Sequence, residues 1–379
     1  MKIKISLLII ILFFKTSYSE TLQELIELAF KYNPQLKKLE KELTVLKSKA
    51  HVADKLPNPS FSLNFNDNAT ITMRQYIPWY EKLNINKQIE EKNYEVHYYV
   101  YKLEKNKIIR QIKENGYYIW LYREKIKTLE NLENLIKDLI NKTKDEDRLN
   151  VILSNIKIEK IEYQANVRKK LYELKSIVNF DFKDIDINLD ESEYLHFEET
   201  LIKMESHSPL VKNLEKRLER EKLSYKLTKE LYVPDVSLSI NYKTKEDFKN
   251  AFSIGVGLSI YFPFWRTLSQ EQSVLAQKLL TISHQEQKLE LLNKLKYIIS
   301  VYYEDYLAGQ AKLKISKSYD LNYENSLKKA YDEYLKDKNN FPHFYIFFNE
   351  YKNFKFSILN QIFDISLSKA KIEELILEN

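Results

Sequence analysis

The side chains with the most chemical potential sit in two short polar stretches: Asp145, Glu146, Asp147 and Arg148 in one, Asp337 and His343 in the other. A run of carboxylates can hold cations or meet a basic surface; its ordinary use is to turn the chain and cap the next helix. His343 carries the side-chain type that ordinarily changes charge near neutrality. Its ordinary place would be a helix start facing solvent. No catalytic constellation stands beside these residues. The six histidines show no His-Glu-x-x-His spacing, there is no cysteine nucleophile, and Gly255-Val256-Gly257 lies in a strand-like run rather than a phosphate loop. The reading is of a protein that is not an enzyme and has no cofactor and no metal site.

The elements that must position these residues are long helices. Only four glycines and eight prolines occur in 379 residues, a composition that favours uninterrupted helices. Thr21 to Leu56 and Glu198 to Tyr232 read as helices broken early by Asn33-Pro34 and by Ser208-Pro209, because proline sits well in a helix's first turn. Leu83 to Asn141 and Leu268 to Lys336 are helical stretches of unusual length, the first roughly 85 Å at 1.5 Å per residue. Ile112, Asn115, Ile119, Tyr122, Ile126, Leu129, Glu133, Ile136 and Ile140 step by three and four, a coiled-coil seam with two polar positions. Polar turns at Lys142 to Arg148 and Asp337 to Asn340 send the chain back through Leu149 to Val178 and Pro342 to Glu378. The acidic stretch Asn179 to Phe197 links the halves without helical period.

The chain says much of this twice. Pro34 and Pro209 lie 175 residues apart, and so do Pro59 and Pro234. A constant offset indicates duplication. The repeats are 20–178 and 198–379, with strand pairs near 60–77 and 235–262, hairpin tips near 142–148 and 337–341, and a linker at 179–197. Residues 1–19, with Lys2, Lys4, an apolar run from Ile5 to Phe14 and Ser17-Tyr18-Ser19, read as a secretory signal peptide. The formal charge of +6 is spread along helices, which argues against nucleic acid as a partner.

The strands alternate. Phe252, Ile254, Val256, Leu258, Ile260 and Phe262 oppose Ser253, Gly255, Gly257, Ser259 and Tyr261; Phe61, Leu63, Phe65, Ile71, Met73 and Ile77 oppose a face with Arg74 and Tyr76. About 8 to 11 residues suit a tilted transmembrane strand. Four strands cannot close a barrel in lipid, where open edges are not tolerated, so insertion requires several copies to pool them. Trp79, Tyr80 and Trp265, just past the strand ends, are placed for an interfacial aromatic girdle.

Together these features resemble the TolC-type outer membrane efflux proteins. The resemblance is carried by Asn33-Pro34-Gln35-Leu36 and Ser208-Pro209-Leu210-Val211, by Leu56-Pro57-Asn58-Pro59-Ser60-Phe61-Ser62 and Val233-Pro234-Asp235-Val236-Ser237, and by Gln75-Tyr76-Ile77-Pro78-Trp79 and Gly257-Leu258-Ser259-Ile260-Tyr261-Phe262-Pro263. It implies a mainly α fold with a small β part: a homotrimer pooling four strands per protomer into a twelve-stranded outer-membrane barrel atop a long periplasmic α-helical barrel. It also implies a passive export duct set in outer-membrane lipid. The duct would be coupled to a periplasmic adaptor of the membrane fusion type and an inner-membrane pump of the resistance-nodulation-division type, carrying metal ions or small toxic compounds. The Gln75 to Trp79 step resembles the branch serving heavy-metal pumps. The alternative is a secreted periplasmic coiled-coil adaptor or scaffold.

The tips depart from the family pattern. Neither has the usual glycine; Asp145 and Asp337 take its place by alignment. Val151 and His343 align with the family's aperture aspartate, so an aspartate ring is missing at both positions. On a three-fold axis His343 would instead bring three imidazoles together as a pH-sensitive element.

Overall fold

The computed structural model describes residues 20–65, 69–189, 194–230, 233–244, 251–259 and 268–377. The expected signal peptide, Tyr261 to Pro263 and Trp265 lie outside the described residues. The chain divides into two compact units, counted over their described residues: Met1–Asn33, Ile108–Glu193 and Asp305–Ala370 form the first, and Pro34–Lys107, Tyr194–Glu304 and Lys371–Asn379 the second.

The chain is mainly helical. After the short β1 (Glu20–Thr21) come α1 (Leu22–Tyr32), α2 (Pro34–Val52), β2 (Ser60–Phe65), β3 (Ala69–Ile77), α3 (Tyr80–Thr143) and α4 (Glu146–Val178). The second half runs β4 (Ile185–Asp186), α5 (Phe197–His207), α6 (Pro209–Glu230), β5 (Asp235–Lys243), β6 (Ala251–Ser259), α7 (Leu268–Lys336) and α8 (Phe341–Ile376). A capping box starts α1: the Glu24 N–H donates to Thr21 Oγ1 at 3.3 Å and the Thr21 N–H to the Glu24 carboxylate at 2.7 Å. The residue before a proline is driven out of helical ψ, and both copies break alike. Asn33 has ψ 124° and Ser208 has ψ 122°, each N–H closing the last turn of the preceding helix. The linker is more ordered than its composition suggests, because β4 pairs in parallel with β1.

In the first unit, one core cluster joins α3, α4, α7 and α8 through Leu129, Ile136, Leu139, Leu149, Ile152, Tyr334, Phe344 and Phe348. Along the seam on α3, Ile112, Ile119, Leu129 and Ile136 are fully buried, the polar members Asn115 and Glu133 are each 8% exposed, and Tyr122, Ile126 and Ile140 are half-buried. In the second unit, Met204, Val211, Leu295, Ile299 and Ile372 belong to a second core cluster. The second unit also holds a single antiparallel sheet in the order β2-β3-β5-β6, so the strand pairs of the two repeats join through β3 and β5.

Candidate functional site

The register sorts side chains onto two faces. Ser62, Thr72, Asn241 and Ser253 lie in one row, as do Ser60, Arg74, Ser239 and Gly255. Thr72 Oγ1 donates to Asn241 Oδ1 at 2.8 Å across β3 and β5. The opposite face carries Phe61, Leu63, Phe65, Ile71, Met73, Leu238, Ile240, Phe252, Ile254, Val256 and Leu258, all exposed, with Phe65 at 77% and Ile254 at 72%. An apolar patch of this extent, flanked by the edges of β2 and β6, which pair with no further strand among the described residues, marks an interaction surface. On the polar face Gly255 and Gly257 make room: a Cβ there would lie 2.7 Å from Ser239 Oγ and 2.6 Å from Ser237 Oγ.

At one end of the sheet the strands are tied to α3 by a buried charge pair. Lys82 Nζ donates to Asp235 Oδ2 at 2.8 Å and to the Val233 carbonyl at 2.7 Å, while the Trp79 N–H donates to Asp235 Oδ1 at 2.8 Å. The Tyr76 hydroxyl completes the set. Lys82 is 5% exposed and Asp235 7%. Losing one partner of such a pair costs about 3–5 kcal/mol, since the other is left buried and uncompensated. Sequence reasoning missed this junction; its one signal was a carboxylate opening a strand whose alternation is otherwise almost uncharged. Trp79 and Tyr80 are exposed at the same end, at 52% and 77%.

Both hairpin tips lie in the first unit; the turn expected over Lys142 to Arg148 is tighter than that, while the other spans Asp337 to Asn340. α3 continues to Thr143 and α4 begins at Glu146, leaving only Lys144 and Asp145 between them. The left-handed residue is Lys144, φ 53°, and not Asp145. Asp145 holds the N-cap position without capping α4; its carboxylate accepts from Tyr334 of α7 at 2.8 Å. Burial, reinforced by that carboxylate, pushes the Tyr334 hydroxyl up to about 12. Next to it, Lys142 donates to Asp138 at 2.8 Å and to the Tyr331 hydroxyl at 3.1 Å. Tyr331 also donates to Asp138. The Lys142 contact leads in holding the Asp138 carboxyl below its ordinary range.

Glu146 and Asp147 lie in the first turn of α4, where the helix dipole favours them. In the other hairpin Asp337 does act as a cap, accepting from the Asn339 N–H at 2.9 Å ahead of a short 3-10 turn, Lys338–Asn340. Arg148 reaches the Lys338 carbonyl at 3.5 Å and stacks over Phe341. His343 is exposed, as expected of a helix start, but it has a partner: Nδ1 lies 3.1 Å from the Glu333 carboxylate. Val151 is exposed as well. Among the described residues no group of three or more His, Cys, Asp or Glu side chains could hold a metal ion, and no helix is long and apolar enough to cross a membrane.

These elements in this order, with a duplicated strand pair and two helical hairpins, define the fold of the TolC-type outer membrane efflux channels. Solved structures bear this out over nearly the whole chain. CusC, whose structures trace conformational changes accompanying folding and transmembrane channel formation, matches at a TM-score of 0.78 and 9% identity, covering 96% of this chain and 94% of its own. The CmeC outer membrane channel of Campylobacter jejuni matches at 0.75 and 12%, covering 94% and 85%. The open state of the Neisseria gonorrhoeae MtrE outer membrane channel matches at 0.72 and 10%, covering 94% and 88%. No protein-family model matches the sequence, and no curated protein does. At these identities the likeness is one of fold.

Proposed function

We propose that this chain is the outer-membrane duct of a tripartite efflux system. Three copies pool their strands into a twelve-stranded barrel in the outer membrane, and the helices continue the channel into the periplasm. The observation that carries this reading is the sheet: one face is apolar and exposed along all four strands, the other is polar, and among the described residues both edges are open. Lipid accepts such a sheet only when it is closed, and the strand lengths of six to nine residues approach those of a tilted membrane strand. The fold shared with outer membrane channels supports it.

The partners follow from the family resemblance: a periplasmic adaptor and an inner-membrane pump of the resistance-nodulation-division type, with metal ions or small toxic compounds as cargo. The leader at residues 1–19 would route the chain out of the cytoplasm. The test is the mass of the purified mature chain in detergent, beside conductance in planar bilayers. A trimer forming discrete pores is expected. A species that stays soluble without detergent and conducts nothing overturns the duct and leaves the periplasmic scaffold.

A further inference from the structure

The polar face of the sheet has a charge balance of its own. Among the described strand residues the register gives this face one carboxylate, Asp235, and two cations, Arg74 and Lys243. Asp235 is neutralised where it stands by the buried ammonium of Lys82. Arg74 and Lys243 are both exposed. Arg74 lies opposite Ser60 on one side and Ser239 on the other, so its immediate neighbours in the row are small and uncharged. Lys243 is four residues further along β5 than Ser239, about 13 Å at the rise of an extended strand. The two cations therefore stand at separate levels along the strands.

We infer that the barrel section of this duct is anion-preferring, with Arg74 as the residue that sets the preference. The inference rests on the proposed duct, in which the polar face lines the lumen and three copies turn each cation into a ring. Rings of Arg or Lys lining a pore favour anions. The field of a guanidinium reaches about 10 Å into 0.1 M salt and about 30 Å into 0.01 M salt, so the preference strengthens as salt falls. Of the two proposed cargo classes, small toxic compounds that carry negative charge suit this lining and free metal cations do not.

The test is the chloride-to-potassium permeability ratio of the full-length channel, taken from reversal potentials in KCl gradients near 0.01–0.1 M. Wild type would be compared with Arg74→Gln, Arg74→Glu and Arg74→Lys, each first shown to migrate as the wild-type oligomer. The ratio is expected to fall about two-fold or more in Arg74→Gln, to fall further in Arg74→Glu, and to return in Arg74→Lys, with larger differences at low salt. Pores whose ratio is the same in all four proteins overturn the assignment to Arg74 and leave the duct standing. Absence of any pore from wild type overturns the duct, and this inference with it.

Discussion

The polar positions of an otherwise apolar helix seam show how single residues hold this protein together. Glu133 is 8% exposed, yet it is charged and doubly held, with Lys137 at 2.7 Å on its own helix and Lys160 at 2.8 Å on α4. The Lys137 contact, then that of Lys160, draws its carboxyl down from 4.5 to about 2. A carboxyl depressed in the folded protein adds stability that is complete above its unfolded value and is lost as pH falls through its folded value. The window is therefore from 4.5 down to about 2. Wild type should exceed Glu133→Gln in unfolding free energy by roughly 2–3 kcal/mol at pH 6, with the gap closing towards pH 2. Chaotrope unfolding of both proteins in detergent across that range measures it; a gap that does not change with pH would show that the pair adds nothing through its charge.

At the scale of elements, the two faces of the sheet make opposite demands. Val256 sits near the middle of β6 on the exposed apolar face, and Ser253 lies on the polar face of the same strand. An arginine at the bilayer midplane of a barrel's lipid face costs about 2–4 kcal/mol, and one on a wet face far less. Val256→Arg should lower the heat stability of the oligomer on unboiled gels, while Ser253→Arg should leave it close to wild type; equal effects would mean that the apolar face does not meet lipid. This alternation was legible in the sequence, because a period of two needs no partner to be seen. The break before Pro34 and Pro209 was legible for the same reason, being local to each proline. What could not be read was whatever depends on β3 lying beside β5. Lys82 meets Asp235 only because that pairing carries the start of α3 past the first residue of β5. The tip turn was misjudged because Lys144 takes a left-handed backbone without glycine, so Asp145 is free to accept from a tyrosine on another helix.

For the whole molecule, strand direction decides how copies can close. In the order β2-β3-β5-β6 every neighbour is antiparallel, so β2 and β6 run in opposite senses. The β6 of one copy can then pair antiparallel with the β2 of the next, a head-to-tail contact that makes a ring where its rotation closes. Within one copy β2 and β6 are three strand spacings apart across the sheet, roughly 14 Å, whereas a disulfide needs Cα atoms within about 7 Å. The chain has no cysteine, so an introduced pair reports without background. Ser253→Cys on β6, combined in turn with Ser60→Cys, Ser62→Cys or Asn64→Cys on β2, samples the possible registers on the polar face. At least one combination should oxidise to covalent dimers and closed trimers that reduction returns to monomers. Monomers from every combination, in protein that still inserts into bilayers, would mean that the open edges are satisfied by something other than a second copy of this chain.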